Sequence, residues 1–132
     1  MLFGQEHVER YRETDGEEGH DWQGTQTLLL TTTGRRSGEQ RTTPLIYGTS
    51  GDDFMIVASN GGGSPPAWYL NLQQDPAARI QVKADVYDVT TRDADADEKP
   101  DMWKTMVSEW PAYDEYQEKA DRSIPVVVLS RA

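Results

Sequence analysis

Turn-forming residues divide the middle of this chain into short segments. Residues 60–66 hold three glycines and two prolines, which cannot continue a helix or a hydrogen-bonded strand ladder. Further turns are predicted at 34–38, between two glycines, and at 51–53. The flanking segments are rich in Thr, Val, Ile and Leu, residue types that favour strands. The sequence therefore predicts mainly short strands joined by hairpins.

The spacing of apolar residues fills in the elements between these turns. Strands are predicted at 25–33, 41–47, 54–59, 79–90 and 124–130, and Pro44 predicts that the second strand lies at an edge or carries a bulge. Helices are predicted at 5–14, 67–74 and around Trp103 to Trp110, with a further helical piece after Pro111. This order indicates a small antiparallel barrel of the α+β class.

Composition limits both the number of domains and the available chemistry. A length of 132 residues without repeats or linkers predicts one domain, residues 1–132. The absence of cysteine excludes disulfides, iron–sulfur clusters and thiolate zinc sites, and two histidines leave little for a metal centre. No metal is therefore expected. Because the longest apolar runs are far shorter than a membrane span, we expect no integral span and a cytoplasmic location.

Charge is distributed unevenly along the chain. The net charge of −10 argues against partners such as nucleic acid or anionic lipid. Residues 1–24, an acidic N-terminal segment, carry seven acids and two arginines, whereas residues 25–50 carry three arginines and one glutamate. Those arginines, Arg35, Arg36 and Arg41, form a candidate anion site. The alternative is a solvated hairpin tip.

A second candidate site follows the strand that ends near residue 59. The glycines at 61–63 would let a flat ligand approach the backbone, and Trp68 and Tyr69 would supply aromatic walls. Alternatively, Trp68 is core, since Leu72 lies four residues further along a helix. No nucleophile elbow or metal-ligand pattern is present. This combination is typical of an enzyme whose cofactor carries the chemistry.

These motifs resemble the deazaflavin-dependent nitroreductase family, split β-barrel proteins with an FMN-binding-like fold that bind coenzyme F-420. The resemblance covers about residues 25–130. It rests on Leu-Leu-Thr-Thr-Thr-Gly-Arg-Arg-Ser-Gly at 29–38, Arg-Thr-Thr-Pro-Leu at 41–45, Val-Ala-Ser-Asn-Gly-Gly at 57–62, Ala-Trp-Tyr-Leu-Asn at 67–71, the tyrosines at 113 and 116, and Ile-Pro-Val-Val-Val at 124–128.

The resemblance implies a role for each matched residue. The phosphate and oligoglutamate tail of the coenzyme would be held by Arg35, Arg36, Ser37 and Arg41. The deazaflavin would be lined by Val57, Ala58, Ser59, Asn60, Ala67, Trp68, Tyr69, Leu70 and Asn71. The substrate pocket would hold Tyr113, Tyr116 and Trp110, with Ser59 and Tyr113 as the catalytic pair.

The implied function is hydride transfer from reduced deazaflavin to a small electron-poor acceptor: a quinone, an activated enone or a nitroaromatic. Two alternatives stay open, an FMN-dependent split-barrel reductase and a non-catalytic cofactor carrier. The chain is expected to be a monomer or a homodimer.

Three positions depart from the family pattern. Asn60 stands where members often carry Lys, and Trp110 where some have Tyr. The N-terminus is short and acidic, whereas quinone-reducing members can carry a longer amphipathic arm. Membrane association is therefore less expected here.

Overall fold

The computed structural model describes residues 2–132. Its helices are α1 (Gly4–Thr14), α2 (Ala67–Gln74), α3 (Lys99–Glu109) and α4 (Ala112–Lys119), and a 3-10 turn spans Asn60–Gly62. Its strands are β1 (Asp21–Trp22), β2 (Thr25–Thr33), β3 (Gln40–Ile46), β4 (Gly48–Ser50), β5 (Asp53–Val57), β6 (Ala77–Val82), β7 (Asp85–Asp93) and β8 (Val126–Arg131).

The strands form one curled antiparallel sheet. Its order is β1-β2-β6-β7-β8-β5-β4, and β3 pairs with β2. Strand β3 pairs with β2, next to one end of this order, and β4 forms the other end. Only Tyr47 separates β3 from β4 in the chain. The sheet is therefore drawn round into a half-closed barrel, which confirms the α+β split-barrel prediction. Pro44 lies on β3, which within residues 2–132 pairs with β2 alone, so its predicted position on an edge strand is confirmed.

Strand β2 is buried on both faces. Leu28 and Leu30 join the core inside the barrel, whereas Leu29 packs outside against Val8 and Tyr11 of α1. This explains why three leucines in a row suit the strand. The acidic N-terminal segment is thus packed onto the barrel through one apolar contact surface.

The predicted strand at 79–90 is wrong in one respect, because it is a hairpin of β6 and β7. Lys83 adopts φ 56° at the turn, and its N–H donates to the Tyr11 hydroxyl at 2.8 Å. The turn changes which residues point inward, so Tyr87 and Val89 face the core. Val86, expected on the apolar face, is 56% exposed.

The remaining helices cover the other side of the sheet. Met106 of α3 and Tyr113 of α4 pack with Met55 and Val126 in a second core cluster. Trp103 of α3 is only partly buried in this cluster. The eight strands exceed the five predicted, because β4 and β1 are too short to show a period and β6–β7 reads as one strand.

No helix within residues 2–132 has the length and apolar content needed to cross a membrane.

Candidate functional site

Two cavities of contrasting chemistry adjoin each other on one side of the barrel. The first, of about 490 Å³, is mainly apolar, and the second, of about 750 Å³, is a basic groove. Both are lined by Thr43 of β3 and Trp68 of α2, which stand where the cavities meet. Trp68 also packs in the barrel core with Leu72, so both interpretations of its position hold.

The basic groove gathers four arginines. Arg35, Arg36 and Arg41, predicted from the sequence, line it together with Ser37, Ala67 and Asn71. The fourth, Arg12 of α1, was not predicted, and it donates to the Thr42 hydroxyl at 2.9 Å. Among the described residues that line the groove there is no Asp or Glu. On a chain with a net charge of −10, this groove is a local site for an anion.

Asn71 fixes the turn that carries the arginines. Its side-chain oxygen accepts hydrogen bonds from the backbone N–H of Arg35 at 3.1 Å and from the Arg35 guanidinium at 3.0 Å. Its amide donates to the Thr32 hydroxyl at 3.2 Å. Asn71 is only 4% exposed, so the link between α2 and the β2–β3 turn is shielded from water. Arg36 and Arg41 are exposed, although Arg41 also pairs with Glu39.

The apolar cavity is assembled from distant parts of the chain. Thr43 to Ile46 of β3 line one side, and Val57, Ser59 and Asn60 another. The part of the chain after residue 65 contributes Pro66, Trp68, Trp110, Tyr113 and Tyr116 to the lining. Among the described lining residues none is Asp, Glu, Lys or Arg. The cavity therefore suits an uncharged, flat ring system.

The loop after β5 is held in place through its backbone. The Arg122 guanidinium donates to the carbonyls of Ala58 at 2.9 Å and Gly63 at 3.2 Å. Gly62 lies against α4, where an added Cβ would come within 2.8 Å of the Tyr116 carbonyl oxygen. This glycine therefore serves close packing of the protein chain, whereas Gly61 lines the cavity as expected for a ligand platform. The result is a rigid support for Ser59.

Ser59 and Tyr113 present hydroxyl groups to the cavity. Ser59 is 8% and Tyr113 is 5% exposed, and no group within residues 2–132 hydrogen-bonds either hydroxyl. Within residues 2–132, every fully buried side-chain nitrogen or oxygen has a hydrogen-bond partner. Because these two oxygens have none, each must be at least slightly exposed to solvent. Burial, with smaller contributions from Tyr116 and Glu109, raises the pKa of the Tyr113 phenol well above its usual range. Tyr113 is therefore a neutral hydrogen-bond donor at physiological pH.

Residues of the N-terminal segment form one wall of the apolar cavity. The Trp22 indole lies between other rings, with centroids 5.7 Å from Phe3, 6.2 Å from His7 and 5.8 Å from Trp110. The Trp22 N–H donates to the Leu2 carbonyl at 2.8 Å. These residues were missed from the sequence, because their only signal was a thin apolar stripe within an acidic segment.

Three residues expected around the deazaflavin line neither cavity. Ala58 is fully buried in the barrel core, and Leu70 points outward. The Tyr69 hydroxyl donates to Asp93 at 2.6 Å, and burial followed by this bond raises the pKa of Tyr69. These side chains lie elsewhere because α2 turns only its Ala67, Trp68 and Asn71 positions toward the cavities.

The paired cavities fit the cofactor that the resemblance implies. The groove offers guanidinium groups and a hydroxyl for phosphate and carboxylates. The apolar cavity offers aromatic and aliphatic walls for a ring, with the unpartnered hydroxyls of Ser59 and Tyr113 among its lining residues. A coenzyme with an anionic tail and a tricyclic ring can occupy both at once.

Comparison with known proteins agrees with this geometry. One solved structure, F420-H2 dependent reductase FDR-A, shares 38% identity and a TM-score of 0.73, over 79% of this chain and 93% of that one. A second, described as a domain-swapped dimer, shares 37% identity and a TM-score of 0.76, over 96% of both chains.

Among curated proteins, Rv3178 of Mycobacterium tuberculosis, named as a candidate F420H(2)-dependent quinone reductase, is 36% identical over 64 residues. The match spans 48% of this chain and 54% of that relative. The model of the F420H(2)-dependent quinone reductase family matches residues 3–131, so it includes nearly all of the N-terminal segment. The resemblance to deazaflavin-dependent reductases is therefore confirmed. This chain belongs to the F420H(2)-dependent quinone reductase family.

Proposed function

We propose that this protein uses reduced coenzyme F-420 to reduce a flat, electron-poor carbonyl acceptor, with a quinone as the best fit. The observation that carries the proposal is the junction of a four-arginine groove with an apolar cavity that is lined by the unpartnered hydroxyls of Ser59 and Tyr113. The groove accounts for an anionic tail, and the cavity for two stacked or adjacent ring systems. When bound, the reduced coenzyme supplies a hydride, and hence two electrons at once.

Coenzyme binding is assigned to the groove and to the residues where the two cavities meet. Arg35, Arg36 and Arg41, with Arg12 in addition, hold the phosphate and carboxylates by charge-assisted hydrogen bonds. Trp68 and Asn71 then place the ring end of the coenzyme toward the apolar cavity. The remaining contacts to the ring come from Val57, Ser59 and Asn60.

Ser59 and Tyr113 are assigned to the acceptor. As hydride arrives, negative charge develops on the acceptor oxygen, and a hydroxyl that already faces this point stabilises it without reorganisation. Trp110 and Tyr116 complete the wall, since the Trp110 N–H donates to the Tyr116 hydroxyl at 3.4 Å and fixes both rings. The apolar lining lowers the local dielectric constant, which strengthens each of these interactions.

Binding is tested by fluorescence titration of the purified protein with oxidised F-420 and, in parallel, with FMN, at roughly 0.05 M and 0.5 M salt. We expect F-420 to bind, more weakly at high salt, and FMN to bind poorly. Arg79→Ala is a matched control because Arg79 pairs with Asp88 and lines neither cavity. Tight FMN binding without F-420 binding would refute the proposal.

A turnover assay distinguishes an enzyme from a non-catalytic cofactor carrier. Reduced F-420 is mixed with the protein and a naphthoquinone, a cyclic enone or a nitroaromatic, and the return of oxidised F-420 absorbance is followed. The proposal expects the quinone to give the highest kcat/KM. Binding of F-420 with no turnover of any acceptor would instead indicate the carrier.

A further inference from the structure

His7 is a buried histidine of the apolar cavity to which no role has yet been given. It is 2% exposed and lines the cavity from α1, with its ring stacked near Trp22. Its Nε2 lies 2.8 Å from the Gly19 carbonyl oxygen, which can only accept a hydrogen bond. Nε2 therefore carries a hydrogen, and in the neutral ring Nδ1 is the unprotonated nitrogen.

The Nδ1 atom of His7 is unpartnered. No group of residues 2–132 hydrogen-bonds it, and it is not sealed from solvent. The Cδ2–Nε2 edge of the ring faces Gly19, whose added Cβ would come within 3.0 Å of Cδ2 and 3.1 Å of Nε2. The opposite edge, which carries Nδ1, is the one left to meet the cavity.

His20, the second buried histidine, shows what a purely structural arrangement looks like. Its Nδ1 contacts the Asp21 carboxylate at 2.9 Å, and its Nε2 contacts the Tyr47 hydroxyl at 2.8 Å. Both nitrogens are used, and His20 lines neither cavity. The two histidines therefore differ in a property that proton transfer requires, an unpartnered nitrogen on a residue that lines the cavity.

We infer that His7 donates the proton that completes acceptor reduction, through Nδ1. This inference rests on the proposed function. The hydride and its electron pair pass from the reduced coenzyme to the acceptor, which is thereby reduced, while the coenzyme is oxidised. The developing oxyanion then takes the Nδ1 proton of the imidazolium, forming an O–H bond and leaving neutral His7. Solvent protons restore the imidazolium, so one hydride and one proton convert a quinone to a quinol.

The other groups around His7 do not replace it as the acid. Tyr11, next to it on α1, donates to the Thr27 carbonyl, and burial raises its pKa. Asp21, beside Trp22 on β1, is exposed and bound to His20. From β2, Thr27 donates to the Gly19 carbonyl at 2.6 Å. The ionisable side chains that share the cavity are Tyr113 and Tyr116, and phenols are far weaker acids than imidazolium.

The kinetic test compares His7→Gln with His20→Gln. The glutamine amide can still donate to the Gly19 carbonyl but cannot deliver a proton near neutral pH. We expect His7→Gln to lower kcat for a naphthoquinone by about 10²-fold and to leave the F-420 dissociation constant unchanged. Wild-type kcat should fall as the pH is raised, and this fall should vanish in His7→Gln but persist in His20→Gln.

A direct test uses no coenzyme. The ¹⁵N spectrum of the histidine rings is recorded with and without 4-nitrophenolate, whose ring oxyanion imitates the half-reduced acceptor. We expect Nδ1 of His7 to become protonated while His20 stays unchanged. An unaltered His7 signal at saturation, or a wild-type pH profile in His7→Gln with only a lower melting temperature, would overturn the inference. Failure of wild-type protein to bind F-420 would instead refute the proposed function. The ¹⁵N spectrum would still report whether His7 is protonated beside the bound phenolate, because that experiment uses no coenzyme.

Discussion

The basic groove and the apolar cavity share Trp68 and Thr43 but are built in different ways. The groove is mostly local, because the β2–β3 turn and the start of β3 supply Arg35, Arg36 and Arg41, and α2 fixes them through Asn71. The cavity takes its lining from α1, β1, β3, the loop after β5 and α4. The groove is charged and polar, whereas the cavity is mainly apolar and takes one of its walls from the N-terminal segment. We therefore expect groove variants to change coenzyme affinity and cavity variants to change turnover.

The largest effect is expected from Tyr113→Phe. Loss of one preorganised donor to the developing oxyanion should lower kcat about 10²-fold, with little change in coenzyme affinity. Because the pKa of Tyr113 is raised, its hydroxyl remains protonated up to its ordinary pKa of about 10. Its contribution to kcat should therefore stay constant from neutral pH to about pH 10. Steady-state kinetics across this range check both points. A large loss of F-420 affinity would place Tyr113 beside the coenzyme instead.

The arginines should give the next largest effect. Arg35→Ala and Arg36→Ala are each expected to weaken F-420 binding about tenfold, since a charge-assisted hydrogen bond contributes about 1.5–3 kcal/mol. The salt dependence of binding should flatten as well. Fluorescence titration measures both, beside Arg79→Ala. Unchanged affinity in both groove variants would show that the tail binds elsewhere.

Trp22 tests whether the N-terminal segment belongs to the acceptor site. Trp22→Ala removes the ring that contacts Phe3, His7 and Trp110 and should raise the acceptor KM about fivefold. Trp22→Phe keeps an aromatic wall, so its acceptor KM should stay close to that of the wild-type protein. The F-420 dissociation constant should stay the same, and a parallel rise in it would remove the distinction between the two cavities.

Arg41 should give the smallest effect. It is exposed and already paired with Glu39 at 3.2 Å, so Arg41→Ala is expected to weaken F-420 binding only about twofold. Titration at low salt is the condition that resolves so small a change. A loss as large as that of Arg36→Ala would show that Arg41 leaves Glu39 to bind the coenzyme.

The sequence predicted the groove better than the cavity for a physical reason. Three arginines within seven residues of a turn must lie near one another, so local spacing is enough to find them. Arg12 reaches the same groove only through the packing of α1, and Trp22 meets Trp110 only because the N-terminal segment lies across the barrel. Such contacts depend on tertiary structure, which a single sequence does not encode in its local pattern.

The predicted elements show the same division. Strand β2 and helix α2 have the predicted bounds, because strand-favouring residue types mark the first, helical periodicity marks the second and turns flank both. The hairpin of β6 and β7 was read as one strand, since no glycine marks its turn and Lys83 takes a left-handed conformation stabilised by Tyr11. A tertiary contact there replaces the local signal that sequence interpretation needs.

The Arg122 contacts have a consequence for how the acceptor range could diverge among relatives. One guanidinium binds main-chain carbonyls on both sides of Ser59, so the loop keeps its path without help from the Ser59 side chain. Selection or a protein engineer can therefore exchange the residue at this position while the wall around it stays in place. Under the proposed function, a substitution of Ser59 can change the acceptor preference with little loss of folding stability. Most members of a library randomised at position 59 should therefore fold.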